Sequence, residues 1–280
     1  MPAVLGTNVA SLWASKNLQS AQSNMANSVE RLSSGLRINR ARDDAAGLGI
    51  SNALTQQINS ADQGIRNLND GISIVQTAEG AITQASEMAQ RILTLAVQGQ
   101  SSALSQAQKD SITTEMRSLL NGIDAIQART KFGGNTTELL GGSTLSVYSS
   151  KESTDSIDIT AAALTSISTG TTAASLSGAV TTTASTATDF QSIATYASSF
   201  ITSLDTQRGT LGAIQNQMEY SVNNILELSA NLSSARSRIV DTDYATETAT
   251  LTKGQILQQA ATAMLAQANQ MPNVILSLLK

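Results

Sequence analysis

The chain has no cysteine and no histidine among its 280 residues. Without cysteine it can form no disulfide bond and offers no thiolate nucleophile, and without either residue it lacks the usual zinc ligands. Histidine is also the commonest general acid and base near neutral pH, so most enzyme mechanisms lose their central residue. We therefore expect a protein that is not an enzyme and that holds neither a metal ion nor a cofactor.

Other features that the chain lacks exclude further classes of protein. The net charge is −4 and the isoelectric point is near 4.9, whereas nucleic-acid affinity comes mainly from Lys and Arg residues that neutralise phosphates. No run of 18 apolar residues suggests a membrane-spanning helix. The first six residues lack the basic and apolar segments of a cleaved secretory signal. We expect no nucleic-acid partner, no membrane insertion and no cleaved signal peptide.

Aromatic residues are only 3% of the chain, and the apolar residues, mainly Ala, Leu and Ile, recur at alternating spacings of four and three. This spacing keeps one stripe of a helix against a partner helix and predicts a mainly α fold of long coiled-coil helices. The first stripe comprises Leu54, Ile58, Ala61, Ile65, Leu68, Ile72, Val75, Glu79, Ile82, Ser86, Ala89 and Leu93. A stripe near the other end, here called the assembly seam, comprises Leu257, Ala261, Met264, Ala268, Met271, Ile275 and Leu278.

These patterns divide the chain into five segments. We predict an amphipathic N-terminal helix, a pair of long helices, an exposed middle segment, another long helix and a terminal helix. In that order the segments span residues 1–42, 43–130, 131–189, 190–240 and 241–280. The second segment has no proline to about residue 98, so its first helix reaches roughly 80 Å and needs partners along its length.

The middle segment has a different composition. Nearly half of residues 143–189 are Ser or Thr, and very few are charged. Glycine pairs at Gly133 and Gly141 flank short runs such as Thr144–Tyr148, which predicts a small β-hairpin region. The glycines are not followed by the Lys and Ser/Thr of a phosphate-binding loop, so we favour hairpin turns. The Ser and Thr residues form either a solvated loop or sites of O-glycosylation.

Two acidic clusters mark the joints between helical segments. Their members, with the arginines near them, are Asp43, Asp44 and Arg42 in the first cluster, and Asp241, Asp243, Glu247, Arg236 and Arg238 in the second. Paired catalytic acids or metal ligands are one interpretation. Carboxylates also stabilise helix N-termini, and each cluster lies where a helix is predicted to start. We therefore predict capping and ion pairing at both joints.

Three stretches at the joints and in the last helix carry a resemblance. They are ERLSSGLRINRARDDAAGLGIS from Glu30, SARSRIVDTDYATE from Ser234 and QILQQAATAMLAQANQ from Gln255. These stretches resemble the terminal signatures of bacterial flagellin, and the resemblance covers about residues 1–140 and 190–280. It implies that segments 1–42 and 241–280 pair antiparallel as an inner coiled-coil core. It also implies that segments 43–130 and 190–240 form an outer helical bundle.

The resemblance implies a structural subunit that self-assembles into the flagellar filament, the helical propeller of motility. Such a subunit is exported to the extracellular flagellum without a cleaved signal peptide. Its partners are other copies of the chain, an export chaperone, and the filament cap and junction proteins. The hook–filament junction protein shares terminal coiled coils and is one alternative, and a cytoplasmic coiled-coil scaffold is another. An enzyme or host-directed effector would require a catalytic insert, for which the middle segment is too short.

One helical segment also resembles a receptor-binding patch. Flagellins that activate Toll-like receptor 5 display a surface similar to Gln90–Gln98, with a carboxylate on the next helix that corresponds to Glu115. The resemblance makes this receptor a candidate partner and Gln90, Arg91, Leu95 and Glu115 the candidate contact residues. Ala89 and Thr94 depart from the pattern, and a helix face used for packing is the alternative.

Overall fold

The structure is a computed structural model that describes residues 8–131, 140, 144–150, 155–160, 178–180 and 186–278, without the side chains of residues 160 and 272–278. Over these residues the chain forms five long helices and one pair of strands, which confirms the mainly α fold. The elements are α1 (Val9–Ser34), α2 (Ala45–Gly99), α3 (Gln106–Arg129), β1 (Thr144–Tyr148), β2 (Ser156–Thr160), α4 (Ala187–Val240) and α5 (Tyr244–Leu278). None of the described helices has the length and apolar composition to cross a membrane. The predicted turns at Gly133 and Gly141 lie outside the described residues.

The chain divides into two compact units. Unit 1 comprises residues 1–58 and 230–280, and unit 2 comprises residues 59–229. Helices α2 and α4 therefore contribute residues to both units, and the division falls within these helices rather than at the acidic joints. The contiguous hydrophobic core belongs to unit 2, whereas unit 1 buries mainly small side chains.

In unit 2, helix α2 packs antiparallel to both α3 and α4. The Asp62 carboxylate accepts a hydrogen bond of 3.3 Å from the Ser229 hydroxyl, while the other end of α2 at Gly99 meets the Phe190 ring. Arg91 of α2 forms an ion pair of 2.8 Å with Glu115 of α3. The helix after residue 105 therefore folds back along its predecessor.

The buried face of α2 matches the predicted stripe at several positions, including Ser86, and differs from it at others. One row of its buried residues alternates by three and four, namely Ala61, Gly64, Leu68, Gly71, Val75, Ala78, Ile82, Ala85, Ala89, Ile92, Ala96 and Gly99, while Ser51, Ile74, Ser86 and Leu95 are also buried. The stripe was right at Leu68 and Ile82, but wrong at Ile65 and Ile72, which are only partly buried. Glycine or alanine occupies every position of this row that the stripe missed, except Ile92, and such small residues let neighbouring backbones approach closely.

The β-hairpin packs against two of these glycines. β1 and β2 pair antiparallel, with Val147 opposite Ile157, which confirms the predicted hairpin. A Cβ atom on Gly64 would overlap the backbone oxygen of Ser149, and one on Gly71 would lie 3.0 Å from Val147. The Asn67 side chain also donates a hydrogen bond of 3.0 Å to the Tyr148 carbonyl. The hairpin is thus seated directly on the α2 backbone.

Candidate assembly surfaces

In unit 1, helices α1 and α5 pack against each other in antiparallel orientation. Near one end the Asn8 amide donates a hydrogen bond of 2.7 Å to the Ala268 carbonyl, and near the other Arg31 lies 3.7 Å from Glu247. Two residues that lie side by side in this antiparallel pair, one on each helix, therefore have residue numbers that add up to about 277. The first and last helices therefore pack against each other, with α1 spanning residues 9–34 and α5 spanning residues 244–278.

Small side chains fill the face between the two helices. Ala21, Ser28 and Ala268 are buried, and the backbone of Gly254 lies against Met25. Burying an alanine methyl or a serine removes much less apolar area from water than burying a leucine. The α1–α5 pair therefore leaves its larger apolar side chains for other contacts.

The assembly seam divides between two faces of α5. Ala261 and Ala268 face α1, with Ala268 buried and Ala261 half-buried. By contrast, Leu257, Met264 and Met271 point to solvent, and Met264 is 63% exposed. We call these three residues the outer stripe. The side chains of Ile275 and Leu278 lie outside the described residues.

A second exposed apolar group lies at the start of α1. Val9, Leu12 and Trp13 are all exposed, Leu12 to 67%. The Lys16 ammonium lies 5.4 Å from the centroid of the Trp13 ring. Trp13, the one tryptophan in the chain, falls at the level of Met264 in the antiparallel pair. The sequence analysis did not identify this cluster, although a lone tryptophan on an otherwise polar helix was the signal for it.

Backbone hydrogen bonds join the chain segments around the two acidic clusters. Gly35 ends α1 with φ of 72°, a left-handed conformation that favours glycine. Its carbonyl accepts a bond of 2.9 Å from the Thr242 N–H, and the Arg37 N–H donates one of 2.6 Å to the Val240 carbonyl. The Arg37 guanidinium also donates to the Ile239 carbonyl at 2.6 Å. The connections that follow α1 and α4 are thereby fixed to each other within unit 1.

The acidic residues of these clusters serve mainly as caps. Asp44 accepts a bond of 2.8 Å from the Gly47 N–H at the start of α2, and Asp243 accepts one of 2.9 Å from the Ala245 N–H at the start of α5. These contacts confirm the predicted capping. Glu247 pairs with Arg31 of α1, however, rather than with Arg236 or Arg238. Within the part of the chain that the structure describes, no three acidic residues converge as a metal site.

Two of these carboxylates have shifted protonation equilibria. Hydrogen bonds from the Arg40 and Asn39 backbone N–H groups, with the charge of Arg42 nearby, lower the pKa of Asp43. Asp43 thus caps the loop before α2 rather than the helix itself. Hydrogen bonds from the Thr246 hydroxyl and from the Thr246 and Ala245 N–H groups lower the pKa of Asp243. Both groups therefore remain ionised at neutral pH.

The structure brings together three of the four residues of the candidate receptor patch. Nε and Nη2 of Arg91 donate to one Glu115 oxygen at 3.0 and 2.8 Å, and both side chains are about half exposed. Gln90 is exposed beside them. Leu95 is only 2% exposed and belongs to the unit 2 core, so it does not supply the expected surface anchor. The three candidate residues that remain at the surface, Gln90, Arg91 and Glu115, are therefore all polar.

Comparisons with known proteins cover almost the whole chain. The family model for the bacterial flagellin N-terminal helical region matches residues 5–145, and that for the C-terminal helical region matches residues 194–279. Flagellin from Halalkalibacterium halodurans is 37% identical over 99% of this chain and all of its own length. Flagellin from Bacillus subtilis is 37% identical over 98% of both chains, and flagellin B from Vibrio cholerae is 32% identical over 98% of this chain and 99% of its own length.

The two family matches contain all three of the stretches that carried the resemblance, together with both paired helices of unit 1. Residues 146–193, which include most of the Ser/Thr-rich segment, lie outside both matches. Similarity over full length distinguishes this chain from a scaffold that shares only terminal coiled coils. The chain belongs to the bacterial flagellin family and is a structural subunit of the flagellar filament.

Proposed function

We propose that the outer stripe of α5 and the apolar cluster at the start of α1 form the contacts through which copies of this chain polymerise. The observation that carries this proposal is the exposure of large apolar side chains in unit 1, including Trp13 and Met264, while α1 and α5 bury small residues against each other. An exposed apolar patch on a small protein commonly marks a surface that another chain covers. Contacts that do not close into a ring then generate a helical polymer.

The energetics favour this use of the surface. Fully burying one side chain of this size contributes about 1.5–3 kcal/mol. Association costs several kcal/mol in lost freedom of motion, and ordering of side chains adds to that cost. The outer stripe alone would therefore form a weak contact. The outer stripe and the apolar cluster of α1 together, repeated in every subunit, would gain more free energy from burial than association costs.

Charge placed on the outer stripe tests the proposal. Met264→Glu would bury a carboxylate in each subunit contact, so we expect the critical concentration for polymerisation to rise at least about tenfold. The matched control is Gln259→Glu, which adds the same charge at an exposed position. Because residues on a helix are separated by about 100°, Gln259 points away from Leu257 and the stripe. Sedimentation of each purified variant measures polymer and monomer.

The result that contradicts the proposal is polymerisation of Met264→Glu at the wild-type critical concentration. Circular dichroism of both variants controls for folding, and neither substitution should alter the spectrum of the monomer. If Gln259→Glu were impaired as strongly as Met264→Glu, the contact would not be specific to the outer stripe.

We also propose that the subunit is exported to the extracellular flagellum without a cleaved signal peptide, with an export chaperone and with the filament cap and junction proteins as partners. Membership of the flagellin family supports this set of partners. Electron microscopy of sheared cell-surface filaments, with mass spectrometry of their main protein, tests the location and the intact N-terminus. Recovery of the chain only from the cell interior would contradict it.

The exposed ion pair between Arg91 and Glu115 supports a second proposal, that Gln90, Arg91 and Glu115 contact Toll-like receptor 5. Arg91 presents a planar fork of donors at the surface, and a few such residues dominate most interfaces. We expect Arg91→Ala to weaken binding of the monomer to the receptor ectodomain by about 1–3 kcal/mol in calorimetry. The control Arg66→Ala removes another exposed arginine of α2 and should bind normally. Equal binding by both variants would leave this surface with a packing role alone.

A further inference from the structure

The six methionine residues that the structure describes differ in their exposure. Met116 and Met218 are fully buried, and Met25 and Met88 are partly buried. Three of these four pack over glycines, since Met25 lies against Gly254, Met88 against Gly122 and Met218 against Gly71. Met264 and Met271 differ from all four, because they are 63% and 58% exposed.

The two exposed methionines share one face of α5. They are seven residues apart, so they lie almost in line along the helix, and Leu257 continues the line seven residues earlier. They form two of the three members of the outer stripe. Neither belongs to the face that packs on α1, which is formed by residues such as Ala261 and Ala268.

We propose that Met264 and Met271 are a modification site at which peroxide oxidation of the thioethers blocks filament growth. The proposal rests on the assembly role of the outer stripe. In this reaction a sulfur lone pair attacks one oxygen of a hydroperoxide and the O–O bond breaks. The sulfur gains that oxygen as a sulfoxide, and hydrogen peroxide leaves as water. Two thiols can reverse the change, forming a disulfide and water as a methionine sulfoxide reductase returns the thioether.

The structure explains why oxidation would act on assembly rather than on folding. A sulfoxide is polar, so burying it at an apolar contact without a hydrogen-bond donor opposes association. Because Met264 and Met271 do not pack between α1 and α5, their oxidation leaves the folded subunit intact. The two buried methionines of unit 2 are shielded, and a subunit already in the filament has its outer stripe covered.

The experiment treats purified monomer and preformed filament with hydrogen peroxide. Peptide mass spectrometry over time should find the added oxygen first at Met264 and Met271, and last at Met116 and Met218. The treated monomer should show a critical concentration at least about tenfold higher by sedimentation, with an unchanged circular dichroism spectrum. Incubation with methionine sulfoxide reductases and a dithiol should restore assembly. In filament, oxidation at both sites should be at least about tenfold slower.

A double variant, Met264→Leu with Met271→Leu, isolates the two sites. Leucine is apolar, of similar size and not oxidised by peroxide. The critical concentration of this chain is compared before and after peroxide treatment, so any effect of the two leucines on assembly itself cancels. Treatment should leave that value unchanged, whereas it should raise the critical concentration of a Met25→Leu control. Loss of assembly by the treated double variant would assign the effect to another residue and overturn the proposal.

Two further outcomes separate this inference from the assembly proposal. If oxidised wild-type monomer polymerises normally while Met264→Glu does not, the outer stripe is an assembly contact but not a redox-sensitive site. If both polymerise normally, the assembly role of the stripe fails as well. Equal oxidation rates at Met264 and the buried Met218 would also overturn the inference, because the distinction in exposure would then have no chemical consequence.

Discussion

Two glycines in α2 provide a sharp test of how the hairpin is held in unit 2. A Cβ atom at Gly64 would overlap the Ser149 backbone oxygen, whereas nothing lies within 4 Å of a Cβ atom at Gly80. Both positions are helical, so the same substitution to alanine carries the same gain in helix propensity. The difference between the two variants therefore reports the contact with the hairpin.

The magnitudes follow from these surroundings. Replacing glycine by alanine inside an exposed helix stabilises it by about 0.5–1 kcal/mol, which is the expectation for Gly80→Ala. At Gly64 the methyl group must displace backbone, and overpacking costs about 1–3 kcal/mol. Gly64→Ala should thus be less stable than Gly80→Ala by roughly 2 kcal/mol, or by about 4–8 °C in the midpoint of a unit of this size.

Thermal unfolding followed by circular dichroism or calorimetry measures both variants. Amide hydrogen exchange supplies a local readout, because displacing the hairpin breaks the bond from the Asn67 side chain to the Tyr148 carbonyl. Exchange in β1 should accelerate in Gly64→Ala and remain at the wild-type rate in Gly80→Ala. Two equally stabilised variants would refute the reasoning, since the hairpin could not then rest on the α2 backbone.

Further predictions concern the core and the joints. Leu68→Asp places a carboxylate at a fully buried position and should destabilise unit 2 by about 3–5 kcal/mol in denaturant unfolding, whereas the exposed Gln76→Glu should be nearly neutral; similar midpoints would remove Leu68 from the core. Gly35→Ala forces a side chain into a left-handed conformation 3.1 Å from the Tyr244 hydroxyl, so it should lower stability by about 1–2 kcal/mol. Because the pKa of Asp243 is lowered, its contribution is complete above the unfolded value of 3.8 and is lost as pH falls through the folded value. Asp243→Ala should therefore differ from wild type at neutral pH and converge with it in acid, and a difference independent of pH would contradict the assigned cap.

Much of the fold could be predicted from the sequence because long helices carry strong periodic signals. The spacing of apolar residues and the absence of proline predicted the pair of helices now seen as α2 and α3. Turn-forming glycines and short β-branched runs predicted the hairpin at Thr144–Tyr148. The acidic residues at the joints predicted caps, because a carboxylate before a helix has few other favourable roles. These features depend on neighbours in the sequence.

The candidate site was only partly predictable for the opposite reason. The assembly seam was defined only as a set of apolar positions on α5, so it did not separate Ala268, which faces α1, from Met264, which faces solvent. Likewise, Leu95 matched a surface pattern and lies in the core. Two adjacent rows of apolar residues on one helix are separated by only a small rotation about the helix axis. The apolar spacing therefore does not show which of the two rows a partner helix covers.

The sequence by itself determined which segments are helical, and its resemblance to flagellin implied that the first and last of them pair. The helix ends were only approximate, since the helix predicted in segment 1–42 ends at Ser34. Only the tertiary structure decided which positions of each helix face its neighbours. At Gly64 and Gly71 the closest contacts of α2 are made by residues without a side chain. A search for apolar side chains at regular spacing passes over such positions. Helices that approach closely need small residues at the contact, so the partner backbone, rather than the local apolar pattern, selects the buried face.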